Sequence, residues 1–311
     1  MKLLFFDEFR LGVVRGGATG DEVVDVSSVV DSVPHTGPHD LISGLIARFE
    51  EYRGALEAAV AAGEGLPLAD VRIRPPLPRP TTIACMAVNY MEDGTREEPA
   101  PINAFLKAPS AIIGDGDTME LPDVPASVFE GEAELAVVIG RRAQRVSAAA
   151  AMDYVFGYTN FIDGSARGLH PGFYQMKSRD TFAPIGPYVV TADEVADPQQ
   201  LQVQLWNNGV LRQNFNTDDM AHNIARSIEF VTSIHTLEPG DILATGTNHR
   251  GLNPFQDGDA VELEVEGLGR LHIKVRDALG RTWPRTTRLE LQEQGGPAVP
   301  AQLTGKYALQ S

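Results

Sequence analysis

The chain has 311 residues and a formal net charge of −16, and its hydrophobic share of 43% is ordinary for a globular protein. This length can bury a large core, whereas the negative charge argues against nucleic acid and anionic membranes as partners. Cys85 is the only cysteine, which excludes a disulfide framework, and its apolar setting, TIACMAV, predicts a buried thiol. We see no signal peptide or bilayer-spanning run, so we expect a cytoplasmic protein.

The first 80 residues predict a small unit with strands and helix. Short strands are predicted at residues 2–6, 11–15 and 22–26, and a helical stretch at 40–63, where apolar residues recur near the helical period. The proline-rich segment RIRPPLPRP at 72–80 cannot continue a helix or pair within a sheet centre. We therefore expect an N-terminal domain at 1–72, a main domain at 73–283 and a polar C-terminal extension at 284–311.

The main domain is predicted to be rich in strands. Apolar runs separated by Gly, Pro and Asp turns indicate successive strands, and NNGV at 207–210 is typical of a hairpin turn. One helix is predicted in SAAAAMDYVF. A second is predicted from about Asp218 to His235, with Thr217 or Asp218 as its N-cap. Strands and helices do not alternate regularly, so we expect a β-rich α+β fold and not a doubly wound parallel sheet.

The segment VFEGEAELAVVIG at 128–140 places three glutamates at alternate positions. Glu130, Glu132 and Glu134 share one face of an extended strand, which continues into an apolar run typical of a buried strand. A solvated edge strand is one explanation. If the strand is buried, a row of carboxylates is costly without a cation, and a hard divalent ion suits oxygen ligands. Asp163, at the end of another apolar run, is the candidate third ligand, although it can also be an ordinary turn residue.

Four segments occur in a recognisable order: EAELAVVIG at 132–140, GYTNFIDGSAR at 157–167, KSRDTFAPIGPYVVT at 177–191 and TLEPGDILATGT at 236–247. Together they resemble the motifs of the fumarylacetoacetate hydrolase family, at similar spacings, and the resemblance covers residues 1–280. It implies a mixed β-sandwich or β-roll domain, a smaller N-terminal α/β domain, and at least a homodimer.

The resemblance also implies the roles of particular residues. Glu132, Glu134 and Asp163 match the metal ligands, for Mg²⁺ or alternatively Mn²⁺ or Ca²⁺, whereas Glu130 has no constant counterpart. Lys177 matches an active-site lysine. The predicted substrate-binding residues are Thr247, Tyr90, Lys107 and Gln175.

The sequence departs from the family where many members carry NY-x-x-H-x-x-E, a motif whose His–Glu pair activates water. Asp93 stands at the histidine position here. His249, in the loop after Thr247, is the preferred replacement and a predicted catalytic residue. The alternatives are His170 and the carboxylates of Glu92, Asp93, Glu97 and Glu98, which can act as bases if burial raises a pKa.

These residues predict a divalent-metal-dependent enzyme that cleaves a C–C bond in a small oxo acid or 1,3-diketone, with an acylpyruvate as the expected kind of substrate. In this chemistry the ion stabilises an enolate and the lysine adds positive charge. Decarboxylation or keto–enol tautomerisation is an alternative, since neither needs an activated water. A non-catalytic homologue that binds a metal and a ligand is a third hypothesis, which Lys177 and Thr247 argue against.

Overall fold

The computed structural model describes residues 1–18 and 20–308 as a strand-rich α+β protein, so the predicted fold class is confirmed. The strands are β1 (Lys2–Phe6), β2 (Arg10–Gly17), β3 (Gly20–Asp25), β4 (Gly65–Pro67), β5 (Ile73–Arg74), β6 (Ile83–Met86), β7 (Ala104–Lys107), β8 (Ile112–Ile113), β9 (Thr118–Glu120), β10 (Phe129–Ile139), β11 (Val155–Ala166), β12 (Ala183–Thr191), β13 (Gln202–Asn207), β14 (Val210–Asn216), β15 (Ile242–Ala244), β16 (Ala260–Val265) and β17 (Arg270–Arg276). The α-helices are α1 (Pro38–Ala47), α2 (Phe49–Ala62), α3 (Phe173–Lys177), α4 (Ile224–Ile234) and α5 (Arg288–Glu293).

Two mixed sheets pack face to face. The larger sheet has the strand order β4-β3-β2-β1-β12-β11-β10-β15-β6-β7, with β5 and β8 added beside β1 and β12. The smaller sheet has the order β14-β13-β16-β17-β9. In β13 and β17 each buried residue alternates with a more exposed one, as expected for a sheet with one solvated face. Helices α1 and α2 help to cover the other side of the larger sheet, so its central strands are buried on both faces.

The N-terminal strands belong to the larger sheet because β1 pairs antiparallel with β12. The helical stretch at 40–63 contains two helices, which are separated at Arg48. The division of the chain at residues 72 and 283 stays a prediction. Within residues 284–308, Arg288 pairs with Glu130 and Lys306 pairs with Asp123, so this segment packs on the rest of the protein. Its helix α5 begins with a capping box between Thr287 and Glu290.

The predicted start of the helix near Asp218 is wrong. Residues Thr217–Asp219 form a separate 3₁₀ turn, and Met220 then pairs with Tyr90 in a β-bridge, which holds the chain extended. Helix α4 begins only at Ile224, where the Asn223 side chain accepts a hydrogen bond from the Arg226 N–H at 2.9 Å. The buried Cys85 and the hairpin turn between β13 and β14 are confirmed.

Across residues 1–18 and 20–308, none of the helices combines the length and the apolar character that crossing a bilayer requires.

Asn160 joins the two sheets at their centre. Its side-chain NH₂ donates to the Gly186 carbonyl at 2.8 Å and to the Gly269 carbonyl at 3.1 Å, and its carbonyl accepts from the Val265 N–H at 2.7 Å. The side chain is completely buried. Because no water can replace these bonds in the packed interior, the amide fixes the position of β11 relative to the smaller sheet.

We expect Asn160→Ala to lower the free energy of unfolding by about 2–4 kcal/mol, since it leaves several buried polar groups without partners. Urea unfolding measures the change. The exposed Asn214 provides the control, and Asn214→Ala should change stability by less than about 0.5 kcal/mol. Equal losses of stability in the two variants would contradict the proposed role of Asn160 in holding the two sheets together.

Candidate metal centre and active site

Strands β10 and β11 bring the predicted carboxylates together. They pair antiparallel with Glu132 directly opposite Asp163, and Glu134 lies two residues further along β10. One carboxylate oxygen from each of these three residues lies within 4.8 Å of the others, and all three side chains are buried. The solvated-edge explanation is therefore wrong for this strand, which lies between β11 and β15.

Glu130 is neutralised by two arginines. Its carboxylate accepts from Arg167 Nε at 2.9 Å and from Arg288 Nε at 3.0 Å. Burial by itself raises the pKa of this carboxyl, but the two guanidinium groups outweigh it and hold the pKa below its usual value. Arg288 comes from α5, so the C-terminal segment supplies half of the charge that balances Glu130.

Glu132 is also balanced by cations. It accepts a hydrogen bond from Arg167, and the Lys177 ammonium lies 2.8 Å from Oε1. Burial opposes ionisation, yet Lys177 and Arg167 together hold the pKa of Glu132 well below its usual range. Arg167 thus connects Glu130 with Glu132, and Glu130 in turn pairs with Arg288 of the C-terminal helix α5.

Glu134 lacks such compensation. Its Oε2 accepts from the Gly246 N–H at 2.8 Å, while its Oε1 is buried and has no hydrogen-bond partner among the described residues. Gly246 has φ of 89°, a left-handed conformation that favours glycine and allows its N–H to meet the carboxylate. Burial, followed by the charges of Asp163 and Glu132, raises the pKa of Glu134 well above its ordinary value.

A divalent cation would compensate the repulsion among these three carboxylates and would give the unpartnered oxygen of Glu134 a ligand bond. The potential ligands are all oxygens, which Mg²⁺, Mn²⁺ and Ca²⁺ accept. The residues present therefore fit a divalent metal ion held by Glu132, Glu134 and Asp163.

Two buried lysines accompany the carboxylates. Lys177 Nζ donates to Asp163 Oδ2 at 2.6 Å, and Lys107 Nζ donates to Asp163 Oδ1 and, at 2.6 Å, to the Lys177 carbonyl. Burial lowers the pKa of Lys177, but Asp163 and Glu132 outweigh it and raise the pKa, so this side chain stays protonated. Lys107, a predicted substrate-binding residue, contacts Asp163 and the backbone carbonyl of Lys177, and its contact with substrate stays a prediction.

His249 forms a pair with Glu92. The His249 Nδ1 lies 2.6 Å from Glu92 Oε1, and the backbone N–H of His249 donates to Oε2 at 2.8 Å. Glu92 is buried and adopts φ of 58°, at the start of a turn that continues through Asp93 and Gly94 in the left-handed region. A carboxylate at Nδ1 favours the tautomer in which Nε2 is free to accept a proton.

The other candidate bases lie elsewhere. His170 is exposed, and its Nδ1 accepts from the Gly172 N–H. Asp93, Glu97 and Glu98 are exposed as well, and Asp93 pairs with Arg250 at 3.1 Å. Among all the alternative bases, Glu92 is therefore the only one that contacts His249 within the described residues.

Thr247 is held in place by Gln213. The Gln213 amide donates to Thr247 Oγ1 at 2.8 Å and to the Asn248 carbonyl at 2.8 Å, and its own carbonyl accepts from the Ala133 N–H. Tyr90 is completely buried against Phe215, with ring centroids 5.0 Å apart. Gln175 is exposed on α3. The substrate contacts predicted for Tyr90 and Gln175 stay predictions.

Two cavities meet at His249. The inner cavity, of about 50 Å³, is lined by Glu132, Lys177, Thr247 and His249 together with Phe105 and Phe173. The outer cavity, of about 710 Å³, shares Val88, Arg167 and His249 with it and is closed on another side by residues 288–298. A cavity of about 770 Å³ near Asp115 and His272 contains none of the predicted site residues, so size alone does not locate the site.

Several residues of the site could not be assigned from the sequence. Arg167 connects Glu130 with Glu132, and Gln213 holds the loop that carries Thr247. Arg288 belongs to a C-terminal segment whose sequence indicated only that it is polar. The arginine of GSAR in the resembling motif was the only available signal. The pairing of Glu92 with His249 had no signal in either local sequence, because 157 residues separate them.

Comparisons with known proteins identify the relatives of this chain. Residues 82–276 match the family model described as "Fumarylacetoacetate (FAA) hydrolase C-terminal". A maleylpyruvate hydrolase of Aquipseudomonas alcaligenes is 34% identical over 292 residues, which are 89% of this chain and 99% of that protein. A mitochondrial oxaloacetate tautomerase of Bos taurus is 36% identical over 86% of this chain and 87% of its own length.

The fold is similar to that of solved structures. The crystal structure of a maleylpyruvate hydrolase from Sphingobium sp. SYK-6, in complex with manganese(II) and pyruvate, superimposes with a TM-score of 0.81 at 38% sequence identity. The match covers 89% of this chain and 99% of that one. The match to the family model, the similarity over nearly the whole chain and the shared fold lead to one conclusion: this chain belongs to the fumarylacetoacetate hydrolase family.

Proposed function

We propose that the chain is a metal-dependent acylpyruvate hydrolase, which adds water to a 2,4-dioxo acid and cleaves it into pyruvate and a second carboxylic acid. The observation that carries this proposal is the His249–Glu92 pair: His249 lines both the inner and the outer cavity, and the pair can take the role of the water-activating pair that is missing from its usual position. The maleylpyruvate hydrolases among its relatives support the same reaction class.

Glu132, Glu134 and Asp163 would hold the metal ion, and we propose Mn²⁺ because the similar maleylpyruvate hydrolase contains manganese(II). Mg²⁺ stays the alternative that the sequence predicted. When bound, such an ion supplies Lewis-acid polarisation of the oxo-acid oxygens. The neighbouring Lys177 keeps its proton and adds a fixed positive charge where an enolate oxygen develops in the substrate.

His249 acts as the general base in this proposal. Nε2 takes a proton from water as the water oxygen attacks the acyl carbonyl at C4, and Glu92 stabilises the resulting imidazolium through Nδ1. The bond between C3 and C4 then breaks, its electron pair forms the pyruvate enolate, and C4 becomes the carboxyl carbon of the second product. The imidazolium returns its proton to C3, so that atoms and charges balance.

Tautomerisation is the second candidate because an oxaloacetate tautomerase is among the similar proteins. That reaction needs a base to move one proton between carbon and oxygen, which His249 can also do, but it consumes no water. The two functions are therefore separated by the products. A homodimer and a cytoplasmic location stay predictions.

Product analysis tests the proposal. With Mn²⁺ and maleylpyruvate in ¹⁸O-labelled water, we expect pyruvate and maleate, with one labelled oxygen in the maleate carboxylate formed at C4. Mass spectrometry detects the label, and a metal-chelated sample is the control. Interconversion of keto and enol forms without cleavage would contradict hydrolysis and favour the tautomerase.

We expect Glu134→Gln to weaken Mn²⁺ binding by roughly 100-fold or more, because it removes the charge of the carboxylate that has the free oxygen. Isothermal titration calorimetry with Mn²⁺ measures the affinity. Glu120→Gln, at a half-exposed glutamate on β9, is the matched control and should bind Mn²⁺ as the unaltered protein does. Unchanged binding in Glu134→Gln would exclude this carboxylate as a ligand.

We expect His249→Ala to lower kcat by about 10²- to 10⁴-fold, the usual contribution of a general base, while Mn²⁺ and pyruvate still bind. Glu92→Gln should also lower kcat, because an amide at Nδ1 can favour the wrong imidazole tautomer. His235→Ala, at a histidine remote from both cavities, is the control. Full turnover in His249→Ala would show that another group activates the water.

A further inference from the structure

The outer cavity concentrates positive charge in an acidic protein. Four arginines line it, with Glu92 as the single carboxylate residue in its lining, although the whole chain has a formal net charge of −16. Such a local reversal of charge inside a cavity attracts anions. The four arginines are Arg96, Arg167, Arg250 and Arg288.

Three of the arginines are already committed to carboxylates of the protein. Arg167 and Arg288 pair with the buried Glu130, and Arg250 pairs with Asp93 at 3.1 Å. Their charges therefore balance the protein's own anions and leave little for a ligand.

Arg96 differs from the other three. Its guanidinium forms no ion pair with residues 1–18 or 20–308, and its Nε is buried without a hydrogen-bond partner there. A guanidinium with an unsatisfied buried N–H is costly unless an acceptor reaches it. The side chain lines the outer cavity, so an anion in that cavity can satisfy it.

The position of Arg96 relates it to the reacting groups. Its backbone N–H donates to the Met91 carbonyl at 3.1 Å, which places it in the same turn as Glu92, the partner of His249. A substrate whose oxo-acid end lies in the inner cavity must extend past His249 into the outer cavity. The end remote from the metal site would then lie in the cavity that Arg96 lines.

We propose that Arg96 binds a second carboxylate, at the far end of the substrate, so that the enzyme prefers dicarboxylic acylpyruvates to those with a neutral end. A guanidinium matches a carboxylate with two parallel hydrogen bonds, which gives orientation as well as affinity. This inference rests on the proposed function for the kind of substrate, but binding can test it without turnover.

The charge of the neighbouring cluster agrees with a doubly negative ligand. Four buried carboxylates, Glu130, Glu132, Glu134 and Asp163, face two arginines and two lysines, so the ionised cluster is neutral before a divalent ion is added. The ion brings the total to two positive charges, and the nearby Arg96 and Glu92 add one charge of each sign. A ligand with carboxylates at both ends compensates this excess better than a monocarboxylate.

A matched pair of probes isolates the far carboxylate: 2-oxoheptanedioate and 2-oxoheptanoate share the oxo-acid end and chain length, and neither has the 1,3-dicarbonyl that cleavage requires. Calorimetry with the Mn²⁺-loaded protein should show tighter binding of the dicarboxylate. Arg96→Ala should weaken binding of 2-oxoheptanedioate by about 10- to 100-fold and of 2-oxoheptanoate by less than about twofold. Arg96→Lys should recover part of the loss.

Arg141→Ala is the control, since this exposed arginine lines neither cavity of the site. Equal binding of the two probes by the unaltered protein, including no binding of either, overturns the subsite, as does an equal loss for both probes in Arg96→Ala. A protein that discriminates between the probes but does not cleave maleylpyruvate keeps the subsite and loses the proposed hydrolysis. A protein that cleaves maleylpyruvate but binds the two probes equally keeps the proposed hydrolysis and loses the subsite.

Discussion

The structure depends on the burial of four carboxylates on two neighbouring strands. Ionised side chains in a protein interior are stable only when cations and hydrogen bonds replace the water they have lost, and removing one partner of such a pair typically costs about 3–5 kcal/mol. Lys107, Arg167, Lys177 and Arg288 supply that compensation from different parts of the chain. The carboxylates of the long strands β10 and β11 therefore tie distant segments of the chain to the site.

Glu134 differs from the other three carboxylates, because no cationic side chain of the described residues pairs with it and it can therefore attract a metal ion. Each of the other carboxylates meets a guanidinium or an ammonium group, whereas Glu134 has one backbone N–H and one unpartnered oxygen among the described residues. An arginine beside Glu134 would have neutralised this carboxylate as well, and the cluster would then not need a metal ion. The incomplete compensation at one carboxylate is thus the physical basis of the proposed metal centre.

The sequence predicted the carboxylate cluster because alternation places Glu132 and Glu134 on one strand face, and an apolar run ending just before Asp163 made that residue the candidate third ligand. The family resemblance then favoured this set over a solvated strand and a turn aspartate. It did not predict the partner of His249, because loops have no periodicity and loop contacts depend on the whole fold. The start of α4 was misplaced for a similar reason. Met220 is drawn into a bridge with Tyr90, a long-range contact that overrides the local capping signals near Thr217.

The outer cavity has walls of two different origins. One side belongs to the central strands and their loops, while residues 288–298 form another side and follow the segment that the family model matches. Substitutions at Leu289, Gln292 or Pro297 can reshape the space around the far end of a ligand without touching the carboxylate cluster. Arg288 is the exception, because it also holds Glu130. The selectivity of such an enzyme can therefore diverge through its terminal segment while the reaction itself is preserved.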